Sequence, residues 1–162
     1  ITISVLEDLR NDRLRINVAD NGKGISEEML PQVLNPFITS RTTRKVGLGI
    51  PLLKAAAEMC DGFLSLESHL GIGTTLTVEF KRSHIDRMPL GDLPGTILQL
   101  VVGYPQINWV FNYTVNENEF IFNDDVLKKE LDGISLTEPV VLSFIRQEIE
   151  SGYREIEPIA EY

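Results

Sequence analysis

The sequence predicts an α/β protein: a two-layer sandwich with helices on one face of a mixed sheet, then a small C-terminal α+β segment. Three observations predict it. Residues 1–5, 14–18, 63–68 and 74–80 have the apolar patterning of strands. Residues 48–59 repeat apolar side chains at helical spacing. After residue 82 the pattern breaks, because Pro89, Gly91, Pro94 and Gly95 form a connector. The chain therefore divides into 1–82 and 83–162.

Ile1, Ile3 and Val5 alternate with Thr2 and Ser4, as in a strand with one buried face. A charged turn with Asn11-Asp12 at its tip leads to a second alternating run, Leu14 to Val18. Ser26-Glu27-Glu28 then opens a helix: serine can cap it and the acids suit its positive end. Met29, Leu30, Val33 and Leu34 are its expected buried stripe, and Asn35-Pro36 its end. Residues 37–46 are mostly polar and carry Arg41, Arg44 and Lys45. The next helix runs from about Leu48 to Met59, with Leu48, Leu52, Leu53, Ala56 and Met59 facing the sheet and Pro51 in its first turn. Asp61-Gly62 stops it. Phe63–Ser68 and Thr74–Phe80 are strands around the turn Leu70–Gly73.

The second segment predicts a helix over 96–102 and an aromatic hairpin of 108–113 and 119–123. A short helix follows, capped by Asp124-Asp125, then a last helix over 138–151 capped by Thr137. The tail after Gly152 is expected to fray.

Composition narrows the partners. The net charge is −9, which argues against nucleic acid and anionic membranes. Cys60 is the only cysteine, so no internal disulfide forms and a reducing, cytoplasmic setting is expected. Cys60 itself reads as a small core residue. No apolar run reaches membrane-spanning length. The chain opens at Ile1 rather than methionine, as a fragment or trimmed chain would.

Chemistry concentrates in glycine pairs. Asp20-Asn21-Gly22-Lys23-Gly24-Ile25 places an acid at a strand end before two glycines. Such a turn lets a ligand approach the main chain, and the aspartate can accept from a ligand's amino group. Taken alone, the same residues make an ordinary hairpin turn. Gly47-Leu48-Gly49-Ile50 supplies backbone amides at a helix start, a ready anion site. A third pair, Gly71-Ile72-Gly73, precedes Thr74-Thr75 and a strand. His69 and His84 lack a partner at metal-ligand spacing.

In this order the motifs resemble the GHKL superfamily of ATP-binding domains, on its histidine-kinase and anti-sigma-factor branch. Asp20 to Gly24 is similar to its first glycine box, and Pro36-Phe37 to its F box. Gly47 to Ile50 is similar to the second glycine box, and Gly73-Thr74-Thr75 to the last. The resemblance implies the Bergerat fold over residues 1–82. It implies ATP or ADP as ligand, with Asp20 accepting from the adenine amine and Gly22, Gly24 and Ile25 close to the base. Thr75 is a candidate for the adenine-side water. The amides of Gly47, Leu48, Gly49 and Ile50 would hold phosphates, helped by Lys23, Arg41, Arg44 or Lys45. Residues 37–46 would be the lid, with Phe37 in the core.

The family's N box normally precedes the first strand, and its asparagine holds Mg²⁺. No such helix lies within residues 1–162, which leaves Mg²⁺ without that ligand here. ATPase or protein kinase activity is expected only of a longer protein that has the helix. A different reading is a regulatory interaction module of the anti-sigma type. Its contact surface would be Trp109, Phe111, Tyr113, Phe120 and Phe122, unless these pack on the first domain. The run Ser83 to Arg87 also resembles one found in small stand-alone bacterial ATP-binding proteins.

Overall fold

A computed structural model of the chain describes residues 1–34 and 48–158. Its elements are β1 (Thr2–Asp8), β2 (Arg13–Asp20), α1 (Leu30–Val33), α2 (Gly49–Met59), β3 (Phe63–His69), β4 (Gly73–Lys81), α3 (Leu93–Gly103), β5 (Val110–Val115), β6 (Asn118–Asn123), α4 (Asp124–Glu130) and α5 (Pro139–Ile156). The fold is the expected α/β sandwich, and its strands are ordered β3-β4-β2-β1-β5-β6. Two compact units divide the chain: Glu7–Arg87, and Ile1–Leu6 with Met88–Tyr162.

In the unit Glu7–Arg87, β4 pairs antiparallel with both β2 and β3. Leu14, Ile16 and Val18 lie opposite Phe80, Val78 and Leu76, while Leu64 and Leu66 continue the row on β3. Because side chains alternate between faces, this row makes one apolar face. The opposite face is polar: Arg15 donates to Glu79 at 2.6 and 2.9 Å, and Asn17 donates to Thr77 at 2.9 Å. Helix α2 packs on β3 and β4.

The helix turns only part of the expected stripe inward. Ala57 and Cys60 are buried and Ile50, Leu53 and Ala56 half-buried, whereas Leu52 and Met59 keep 61% and 66% of their surface exposed. Leu48 is also exposed. This helix is apolar around most of its circumference, so two stripes satisfy the period and spacing alone cannot choose. At the end of α2, a side chain on Gly62 would strike the carbonyl of Glu79, which explains the glycine there.

The expected helix from Ser26 is reduced to the single turn of α1, which buries none of its residues. Met29 is exposed, and the Ser26 side chain makes no cap; its carbonyl instead accepts from the Met29 and Leu30 amides. Pro31 is the reason. It has no N–H to bond back to residue 27, so it sits in the first turn and the helix can start only just before it. Asn35, Pro36 and the expected lid, including Phe37, lie outside the described residues.

In the second unit, β5 and β6 form the expected hairpin, with Phe111 opposite Phe122 and Tyr113 opposite Phe120. The Ile1 carbonyl accepts from the Val110 amide and Asn112 donates to Ser4, so β1 and β5 run parallel and the sheet is mixed. Trp109, Phe111, Tyr113 and Phe122 are buried, and α5 packs on the hairpin through Ile145, Ile149 and Tyr153. The Tyr113 and Tyr153 rings stack with centroids 4.5 Å apart. These aromatics are thus a core, which corrects the expectation that they form an exposed contact surface.

The ends of three helices also differ from expectation. Helix α3 begins at Leu93, because Asp92 accepts from the Gly95 amide and Pro94 fits the first turn. Asn123 caps α4, while Asp124 turns inward, accepts from the Trp109 amide at 2.7 Å and pairs with Lys128 at 2.8 Å. Helix α5 starts after Glu138 without a side-chain cap and runs through Gly152 to Ile156. Gly152 lies against the Phe120 ring, where a side chain would clash. Packing against the hairpin therefore overrides the low helix propensity of glycine.

Candidate functional site

The first glycine loop is held against the β3–β4 turn by complementary backbone contacts. Asp20 ends β2 and lies opposite Thr74 at the start of β4. Gly73, at φ 141°, fits against the main chain of Asp20, and Gly24, at φ 70°, fits against that of His69. A Cβ at either position would strike backbone, so glycine is required twice for the loop to close on the turn.

Three hydrogen bonds fix the loop. The Gly22 amide donates to Asp20 Oδ1 at 2.7 Å, the Gly71 amide to the Lys23 carbonyl at 2.9 Å, and the Ile25 amide to Ser68 Oγ at 2.8 Å. The first orients the Asp20 carboxylate while the residue stays exposed. Among the described residues, Oδ2 has no hydrogen-bond partner. Asn21, Gly22 and Lys23 are exposed, whereas Gly24 and Ile25 are half-buried. The structure thus brings Asp20, Gly22, Lys23, Gly24 and Ile25 into one loop.

It does not bring Thr75 to them. Thr75 lies opposite Ala19 and Glu67, on the polar face of the sheet. Asp20 shares the other face with Thr74 and Ser68, which pair across β3 and β4. A displacement of one residue along a strand changes the face, so of the two adjacent threonines only Thr74 stands beside Asp20. Ser68 was legible too: it continues the alternation of Leu64 and Leu66 on the inner face, where a polar side chain needs a partner.

At the start of α2, Leu48 is the N-cap and makes no side-chain cap. Gly49 and Ile50 follow as the first helical residues, with amides that have no partner inside a helix. Among the described residues, a Cβ on Gly49 would meet nothing within 4 Å. Among the described residues neither packing nor positive φ accounts for that glycine, in contrast to Gly24 and Gly73. Arg41, Arg44, Lys45 and Gly47 lie outside the described residues. Among the described residues no group of three or more His, Cys, Asp or Glu could hold a metal ion, and no helix is long and apolar enough to cross a membrane.

The first half of the chain is similar to known proteins. A family model described as "Histidine kinase-, DNA gyrase B-, and HSP90-like ATPase" matches residues 1–84. A probable C4-dicarboxylate sensor kinase of Halalkalibacterium halodurans is 36% identical over 77 residues, which are 48% of this chain and 14% of that protein. Sporulation kinase D of Bacillus subtilis is 41% identical over 63 residues, 39% of this chain and 12% of the kinase. The chain therefore spans only a small part of the length of the curated relatives it matches. The catalytic domain of the histidine kinase ThkA is 23% identical, with a TM-score of 0.40 over 52% of this chain and 55% of that one.

Proposed function

Because the chain belongs to the histidine kinase-, DNA gyrase B- and HSP90-like ATPase family, we propose that its nucleotide site is the Asp20 loop together with the start of α2. The carboxylate of Asp20 carries this reading. One oxygen is tied to the Gly22 amide, and the other is available to accept from the exocyclic amine of adenine. Guanine would present an oxo group to the same acceptor and be disfavoured. Thr74, opposite Asp20, takes the place assigned to Thr75 from the sequence. Gly22, Gly24 and Ile25 let the loop lie close to the base. The amides of Leu48, Gly49 and Ile50 hold phosphates at the positive end of α2, with Gly47, Lys23, Arg44 and Lys45 as further candidates. Bound ATP would supply the phosphoryl group; the residues named here bind and orient it. Hydrolysis or phosphotransfer, as the names of the relatives suggest, is proposed only for a protein that adds the N-box helix and its Mg²⁺ ligand.

Calorimetric titration of ADP and ATP, with and without Mg²⁺, tests the site. Asp20→Asn should weaken ADP binding on the order of 10–100-fold, the range for a hydrogen bond to a charged group. Equal binding by both proteins would remove Asp20 from the site. No binding by the wild type would sink the reading.

A further inference from the structure

Ser68 is a buried serine that ends the row of Leu64 and Leu66 on the inner face, with 5% of its surface exposed. Its hydroxyl makes three contacts, all with groups at the Asp20 loop or the β3–β4 turn. Oγ accepts from the Ile25 amide at 2.8 Å, donates to the Gly73 carbonyl at 2.9 Å and lies 2.9 Å from Thr74 Oγ1. A serine hydroxyl has one proton. The Gly73 carbonyl can only accept, so the serine proton goes there. Thr74 must then donate to Ser68, and what Thr74 presents elsewhere is its lone pairs. Thr74 stands opposite Asp20 on the same face, within the reach of cross-strand neighbours.

We propose that Ser68 is a positioning residue for base selection: by taking the Thr74 proton and the Ile25 amide, it holds Thr74 beside Asp20 as a second acceptor. The inference rests on the nucleotide reading above and deepens it. With Asp20 alone, an oxo group meets one acceptor. With Thr74 held by Ser68 it meets two, and an amine is favoured by both. Without Ser68, the Thr74 hydroxyl is released to turn and donate, and tolerance of a 6-oxo purine rises.

The test is the ratio of ADP to inosine diphosphate affinity, measured by calorimetry on the whole chain. The ratio does not depend on the fraction of protein that folds. Ser68→Ala should reduce the preference for ADP about fivefold, the scale of one uncharged hydrogen bond. A purely structural loss would weaken both ligands alike. Thr74→Val should reduce the ratio to the same extent, and adding Ser68→Ala to it should change the ratio no further. Ser68→Cys leaves no cavity and has a weaker acceptor, and it carries the same test if the alanine variant does not fold. An unchanged ratio in the Ser68 variants, with ADP still bound by the wild type, overturns this inference alone. A shift that persists in the Thr74→Val background also overturns it. No ADP binding by the wild type overturns it together with the nucleotide reading.

Discussion

The Asp20 loop leads from strand β2 to helix α1 and the aromatic hairpin joins β5 to β6, and the two are built from opposite materials. The loop is closed by absences: missing side chains at Gly24 and Gly73, three hydrogen bonds and an exposed carboxylate. The hairpin is closed by mass: Phe111, Tyr113 and Phe122 are almost fully buried, and Tyr153 stacks on Tyr113. A loop proposed to receive a ligand leaves its space open, and a region that anchors a helix fills it. Stability and binding should therefore separate by region.

The largest expected effect is in the hairpin. Tyr113→Ala or Phe111→Ala should destabilise the protein by about 3–5 kcal/mol through lost transfer energy and a cavity. Urea unfolding would measure it, and a loss below about 1 kcal/mol would contradict the aromatic core. Next comes Gly73→Ala. It forces a side chain against the Asp20 backbone at a φ that L-residues avoid. A loss of about 1–3 kcal/mol is expected, with weakened ADP binding. That variant joins the two properties, because the glycine both closes the loop and positions Asp20.

Gly49→Ala should separate them. A methyl there meets none of the described residues and helix propensity favours alanine, so stability should rise by up to about 1 kcal/mol. ADP affinity should fall if phosphate approaches the main chain. A variant with unchanged affinity would remove Gly49 from the phosphate site.

The smallest effect is in the acid range. The Ser83 hydroxyl, donating to Asp12 at 2.6 Å, holds that carboxyl below its ordinary value of 3.8; the Ser83 amide adds to this and desolvation opposes it. A carboxyl whose folded value is lowered adds stability above the ordinary value and loses it as pH falls through the folded one. Ser83→Ala should therefore lower stability slightly at pH 7 and have no effect once Asp12 is protonated. Urea midpoints followed from pH 7 down through the acid range would show the difference shrinking as Asp12 takes up its proton; a difference that stays constant to the lowest pH at which the protein remains folded would refute the assignment.

The strands and their faces were legible because alternation is a short-range signal. The alternations of Ile1, Ile3, Val5 and of Leu14 to Val18 come from neighbours two residues apart. The Asp20 loop was legible for the same local reason. Other features depended on distant partners. The inward stripe of α2 was decided by the surface of the sheet, and Gly152 remains helical because the Phe120 ring, some thirty residues earlier, lies against it. Thr74 and Thr75 are adjacent and alike, and only the register against β2 tells which one meets Asp20. Pro31 was a local signal overlooked beside the stronger one of Ser26 and its acids.

The parallel pairing of β1 with β5 has a kinetic consequence. The Ile1 amino group donates to the Asn108 carbonyl, 107 positions along the chain. During synthesis β1 emerges about a hundred residues before the strand that completes its unit. Such a unit closes a long loop before any of its parallel contacts forms, which slows folding more than it weakens the result. Refolding of Ile1–Leu6 with Met88–Tyr162 should therefore be the late phase, after the hairpins of short span have formed.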